Sequence, residues 1–302
     1  MRILVRTPAT VANLGPGFDC LGLALDLWNE MEVETTGGRL KISIEGEGRD
    51  VLPVDDTNTI YRAMHSFALQ LGKTLPADLQ IRCKNNIPLG SGLGSSSAAT
   101  IAGILTAGVL LDIPDNQEDQ LGCALQMEGH PDNVTPCLIG GFTISSVIDN
   151  KVLFRKIPIP PFPLVVVTPD YNFPTSQARA ALPDSISHKD AVFNLSRVVL
   201  LTEALKNGDF ELLSLATEDR LHQPYRIPLI PGAVEAISAA RNAGAVSVTL
   251  SGAGPSLMAI VRDRSEIEAV GASMILAFQQ AGLSARTFSP LISNVGASVR
   301  AI

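Results

Sequence analysis

The sequence predicts a two-domain α+β chain, and three observations predict it. Strand-like alternation crowds the first 55 residues, helical and strand-like segments then alternate to the end, and a proline run, "PIPPFP" at 158–163, interrupts them midway. With 302 residues, 46% of them hydrophobic, the chain can bury a sizeable core in each half. The proline run sets the expected boundary between an N-terminal domain, 1–160, and a C-terminal domain, 161–302.

"RILVRTP" (2–8), "LGLALDLW" (21–28), "MEVETT" (31–36) and "LKISIEG" (40–46) read as strands. From about Asp56 a helix is expected, because Ile60, Met64, Phe67, Ala68 and Leu71 recur at helical spacing and Gly72 closes it. "DLQIRCKN" (78–85) alternates as a strand and leads into a glycine-rich loop. Ala98 to Leu111 is apolar nearly all round, which predicts a buried helix. A helix from about Asn116 to Glu128 should stop at "GHPDN", where Gly129 and Pro131 break it. Strands "GFTISSVI" (141–148) and "KVLFRKI" (151–157) precede the proline run. Beyond it come strand "LVVVTP" (164–169), a helix over 188–207, and a helix in "PGAVEAISAARNAG" with Pro231 early and Gly244 as its stop. Strand "AVSVTL", a turn "SGAGPS" (251–256), strand "LMAIV", a helix over 265–281 and a last strand or two complete an α+β sandwich.

Composition excludes several function classes. A net charge of -7 and the lack of any Lys/Arg cluster argue against a nucleic-acid footprint. Cys20, Cys83, Cys123 and Cys137 are scattered with no metal-ligand spacing, which suits reduced, mostly buried thiols. The N-terminus lacks the apolar core of a signal peptide, and the longest apolar stretch is too short to span a bilayer. A cytoplasmic protein without membrane or nucleic-acid partners is expected.

The loop "PLGSGLGSSS" carries the first chemical signal. Gly90, Gly92 and Gly94 let the backbone take positive φ and approach a ligand closely. The serines open a buried helix, where unpaired N–H groups and the positive end of the helix dipole form an anion site. The lysine of the common P-loop is absent, so the backbone would hold the phosphates. Ser96 could complete a Mg²⁺ shell beside them. A tight packing corner before a buried helix is the competing reading of the loop alone.

Four stretches occur in one order: "PATVANLGPGFDCLGLAL" (8–25), "IPLGSGLGSSSAA" (87–99), "EGHPDNVTPCLIGGF" (128–142) and "SGAGPS" (251–256). Together they resemble the homoserine kinases of the GHMP small-molecule kinase superfamily over almost the whole chain, the first stretch being the most specific. The resemblance implies a GHMP kinase fold. Its N-terminal domain is like the second domain of ribosomal protein S5, with a left-handed βαβ unit, and its C-terminal domain is a ferredoxin-like α/β sandwich. It also implies phosphoryl transfer from Mg·ATP to the side-chain hydroxyl of L-homoserine, giving O-phospho-L-homoserine for threonine synthesis, in a homodimer.

The resemblance assigns roles. Pro88, Leu89, Gly90, Ser91, Gly92, Leu93, Gly94, Ser95, Ser96 and Ser97 form the ATP loop, and Gly252 and Gly254 give a turn whose N–H groups would close on the phosphates. Asn13 and Asp19 would contact the amino acid, Asp19 accepting from its ammonium. Thr175 and Arg179 stand one helical turn apart, and Arg179 with Arg226 would clamp the carboxylate, for which the planar guanidinium is suited. Glu128 is the expected acidic Mg²⁺ ligand beside Ser96; relatives commonly carry a second acid two positions earlier, where this chain has Gln126. His130 and Asn133 would lie beside homoserine, Asn133 reaching the hydroxyl, and Asp132 occupies a position that some relatives use as a base. Rival readings are another GHMP kinase with a different alcohol, or a metabolite sensor that has lost catalysis.

Overall fold

The computed structural model describes residues 1–35 and 37–302. Thr36, the last residue of the expected strand 31–36, lies outside the described residues. The two strands expected over 21–36 are one, β2 (Leu21–Thr35), which pairs along its length with β1 (Arg2–Ala12). Its far half pairs with β4 (Leu79–Asn85) and its first residues with β5 (Phe142–Ile148), so a single long strand carries three partners. β3 (Lys41–Gly46) lies parallel to β4, connected by α1 (Thr59–Gln70), and β6 (Lys151–Ile157) pairs with β5. Asn58 caps α1 by accepting from the Ile60 amide at 2.9 Å.

On this sheet lies α2 (Ser95–Leu110), whose Ile101, Ile104 and Ala107 are fully buried, as its all-round apolar sequence requires. Helix α3 (Gln117–Glu128) packs beside it. The expected stop at "GHPDN" ends α3 but also starts another helix, α4 (Pro131–Ile139). Proline breaks a helix interior yet suits the first turn, where its missing N–H would have no partner. Pro131 therefore opens α4 as well as closing α3.

After the proline run the second sheet begins with β7 (Leu164–Pro169). Three helices follow α5 (Thr175–Ala180): α6 (His188–Asn207), α7 (Phe210–Ala216) and α8 (Gln223–Arg226). Then come α9 (Ala233–Asn242), β8 (Ser247–Leu250), β9 (Leu257–Ile260), α10 (Ile267–Gln280) and β10 (Ala285–Phe288). The order β10-β7-β9-β8, antiparallel throughout, with helices joining β7 to β8 and β9 to β10, is the ferredoxin-like arrangement. The final strand, β11 (Ser298–Ala301), leaves this sheet and pairs with β1. Among the described residues no helix is long and apolar enough to cross a membrane.

Candidate functional site

A cleft of about 150 Å³ is lined by residues from both halves of the chain. Its floor is the N-terminus of α2. Gly94 occupies the cap position with φ 73° and supplies no capping side chain, so the amides of the first turn, Ser95 to Ser97, have no side-chain acceptor. Glycine is required at 94 for a second reason. A Cβ there would stand 2.1 Å from the Thr10 hydroxyl and 3.2 Å from Asn133 Oδ1. Ser91 shapes the preceding turn by donating to the Pro88 carbonyl at 2.8 Å and accepting from the Leu93 amide at 3.3 Å. Leu93 itself turns its side chain into the core, and Pro88 is buried beside it, so these two members of the loop offer backbone only.

The glycine turn of the second half was expected to aim its amides at phosphates, and here the structure differs. The Gly252 amide donates to the Ala12 carbonyl at 3.2 Å and that of Gly254 to Ser251 at 2.8 Å. Ser256 N–H reaches the Ser91 carbonyl, and Ser251 Oγ the Gly92 carbonyl at 2.7 Å. These bonds tie the turn to the glycine loop and to the first half, while Gly252, Ala253 and Gly254 line the cleft. Gly92 permits this contact, because a Cβ there would lie 2.1 Å from the Ser251 carbonyl oxygen.

Glu128, the last residue of α3, faces the first turn of α2. Its carboxylate accepts from Ser96 Oγ at 2.8 Å, Thr100 Oγ1 at 2.8 Å and Ser97 Oγ at 3.2 Å. Gln126 is exposed, and it is Glu128 that meets Ser96. No group of three or more His, Cys, Asp or Glu able to hold a metal exists among the described residues. One carboxylate and one hydroxyl beside a helix N-terminus fit the donor set of Mg²⁺, which keeps several waters and takes few ligands from protein.

The start of α4 brings His130, Asp132 and Asn133 to the cleft. His130 Nδ1 lies 2.7 Å from Asp132 Oδ1. Burial lowers the imidazole pKa, but the hydrogen bond and charge of Asp132 outweigh it and leave the pKa raised. Thr10 Oγ1 donates to Asn133 Oδ1 at 2.8 Å, which leaves the Asn133 amide nitrogen to act as the donor toward the cleft.

Opposite stands the segment 13–19. Asn13, Leu14 and Asp19 all have positive φ (70°, 50° and 55°), a costly backbone state for side-chain-bearing residues that requires outside support. Asn13 supplies part of that support: its Nδ2 donates to the Gly252 carbonyl at 2.9 Å and its Oδ1 accepts from the Asp19 amide at 3.0 Å. Asp19 forms a two-pronged ion pair with Arg179 of α5, at 2.9 and 3.1 Å. Thr175, at the start of α5, lines the same wall and is exposed. Arg226 is 2% exposed, and burial, with the charge of Arg179, brings its pKa down to about 10, still a cation at neutral pH.

The cleft thus gathers Asn13, Asp19, Glu128, His130, Asp132, Asn133, Thr175, Arg179 and Arg226 with the glycine loop. Sequence reasoning missed Thr10, which sits 123 residues from the asparagine it holds, and Phe18, whose ring lies under both arginines at 5.0 and 5.7 Å. Both lay within the quoted "PATVANLGPGFDC", the most specific stretch of the chain.

The family model "GHMP kinases N terminal domain" matches residues 58–141, and "GHMP kinases C terminal" matches 201–279. The homoserine kinase of Moorella thermoacetica is 41% identical over 98% of this chain and 99% of its own length. The crystal structure of homoserine kinase from Cytophaga hutchinsonii superposes with a TM-score of 0.87 at 30% identity, over 99% of this chain and 97% of that one. A mevalonate kinase from L. major, at a TM-score of 0.73 and 16% identity over 95% of this chain and 94% of its own, bears on the fold alone. With two family models matched and relatives of this identity covered over nearly their whole length, the chain belongs to the homoserine kinases of the GHMP kinase family.

Proposed function

We propose that the protein transfers the γ-phosphoryl group of Mg·ATP to the side-chain hydroxyl of L-homoserine, giving O-phospho-L-homoserine for threonine synthesis in the cytoplasm. The observation that carries the reading is the Asp19–Arg179–Arg226 wall facing an anion-ready helix N-terminus across one cleft. An ammonium needs a carboxylate, a carboxylate needs guanidinium, and a phosphate needs amides and a cation. The cleft holds one of each set.

The nucleoside has a natural place. An adjoining slot of about 290 Å³ is lined by Met31, Ile44, Leu52, Ile60, Ala98 and Ala102, and it shares Gly90, Ser95 and Ser96 with the cleft. A planar base buried among these apolar side chains would direct its phosphates over the first turn of α2. Ser96 and Glu128 would hold Mg²⁺, which neutralises charge on the phosphate oxygens. Ser97 and Thr100 keep the Glu128 carboxylate oriented toward that position.

At the other end the amino acid enters between Asp19 and Arg179. The two groups pair with each other, and a zwitterion would replace both halves of that pair at once. An alcohol lacking either charge leaves one partner unpaired, which disfavours mevalonate and sugars. Asn133, fixed by Thr10, donates to the reacting hydroxyl. Transfer through a loose transition state depends on positioning and charge more than on proton abstraction, so Asp132, already engaged by His130, serves to fix charge beside the hydroxyl. Purified protein should release ADP with L-homoserine and not with mevalonate or galactose. ATP consumption without dependence on homoserine would sink the proposal, and homoserine binding without turnover would favour a sensor.

A further inference from the structure

Behind Arg226 lies a buried polar cluster that none of the steps above uses. The Asp219 carboxylate accepts from the amides of Leu221 (2.9 Å), His222 (2.9 Å) and Gln223 (2.7 Å). It also accepts from Asn194 Nδ2 at 2.8 Å, and the same nitrogen lies 3.3 Å from the Pro16 carbonyl oxygen. These bonds fix the turn from which α8, and with it Arg226, projects. His222 completes the cluster with no exposed surface.

The tautomer of His222 follows from its partners. Nε2 lies 2.8 Å from the Gly15 carbonyl oxygen, and a carbonyl only accepts, so Nε2 carries the proton. Burial lowers the imidazole pKa and keeps the ring neutral, which leaves a lone pair on Nδ1. That nitrogen faces Arg226 Nη1 at 3.3 Å. The ring also stacks on Phe18, with centroids 5.1 Å apart and planes at 25°.

Consider the guanidinium itself. Nε donates to the Ala178 carbonyl at 3.1 Å, and Nη1 is within 3.4 Å of the Gly252 carbonyl as well as of His222. Among the described residues Nη2 has no protein acceptor, and Arg226 lines the cleft. Of the three acceptors, His222 is the side chain; the others are backbone. We infer that His222 is a positioning residue whose Nδ1 lone pair fixes the rotation of the Arg226 guanidinium, presenting its remaining edge to the substrate carboxylate. This rests on the amino-acid substrate proposed above. The same ring, through Gly15, also braces the strained segment 13–19, a contribution to stability.

Two near-isosteric variants separate this role from a merely structural one. His222→Gln keeps a donor near the Nε2 position for Gly15 and loses the acceptor for Arg226; His222→Asn keeps an acceptor near Nδ1 and loses the Gly15 contact. Steady-state kinetics with purified full-length protein should show the homoserine KM of H222Q raised about tenfold, with kcat and the ATP KM within about twofold of wild type. H222N should stay within about threefold in homoserine KM while losing more thermal stability, because its missing bond is the one that braces the strained segment. Equal losses in both variants, or kcat and the ATP KM shifting in step with homoserine, would overturn the inference. Wild-type protein inactive on homoserine would remove the functional reading and this inference together, whereas an active wild type with undifferentiated variants removes the inference alone.

Discussion

Replacing Asp19 with Asn tests the zwitterion exchange directly. Its carboxylate receives two N–H bonds from Arg179, with both side chains more than a third exposed. Ion pairs that open to water contribute about 0–1 kcal/mol, so Asp19→Asn should move the melting temperature by no more than about 2–4 °C. Substrate binding is more sensitive. A charge-assisted hydrogen bond to the ammonium is worth about 1.5–3 kcal/mol. The substrate displaces Arg179 from Asp19 to make it, which offsets up to about 1 kcal/mol of that gain. A net loss of about 0.5–3 kcal/mol remains, or roughly 2- to 150-fold in kcat/KM for homoserine. A coupled ADP-release assay at saturating ATP reads this, and the ATP KM should hold within about twofold because Asp19 lines the cleft and not the apolar slot. A homoserine KM unchanged in D19N, or an ATP KM that rises with it, would refute the reasoning.

Two further outcomes are expected. Gly94→Ala combines a positive φ with a Cβ 2.1 Å from Thr10 Oγ1, so it should cost about 2–5 kcal/mol in urea unfolding and lower kcat through Asn133; Gly90→Ala, with nothing within 4 Å of its Cβ, should cost only about 1 kcal/mol, and equal losses would argue against the steric account. His130 has a raised folded pKa, so its charged pairing with Asp132 stabilises the fold fully below the unfolded value near 6.5 and is lost as pH rises through the folded one; the melting-temperature gap between wild type and His130→Gln should therefore be widest near pH 6 and close toward pH 9, and a gap independent of pH would contradict the pairing.

Local periodicity and local chemistry made much of this molecule legible. The all-round apolar run of α2, the alternation of β3 and β4 and the 20-residue α6 follow from neighbours in the chain, and a loop such as 88–97 announces itself by composition. What stayed hidden depends on distant partners. Pro131 opens α4 instead of ending the chain's helical run, and Pro136 inside that helix hides it further. Short α7 was invisible beside the longer α6, although Asp209 after Gly208 is a cap signal. Gly252 looked like an amide donor for phosphate because no sequence pattern tells that Ala12, 240 residues earlier, accepts its N–H. His222 gave no signal at all, since its meaning comes from Gly15, 207 residues away.

The return of β11 to β1 has a consequence for how the chain is made. Ile3 pairs with Ala301, so the outer edge of β1 stays uncovered until a stretch far along the chain has docked on it. Until then β1 presents a row of open amides and carbonyls beside apolar Ile3 and Val5, which is a template for pairing with other chains. Such a distant contact also closes slowly. Cutting the molecule at its proline run would therefore not release two independent halves: a fragment of the first 160 residues would carry a permanently uncovered strand, and its solubility would depend on a chaperone or on residues 298–301 supplied separately.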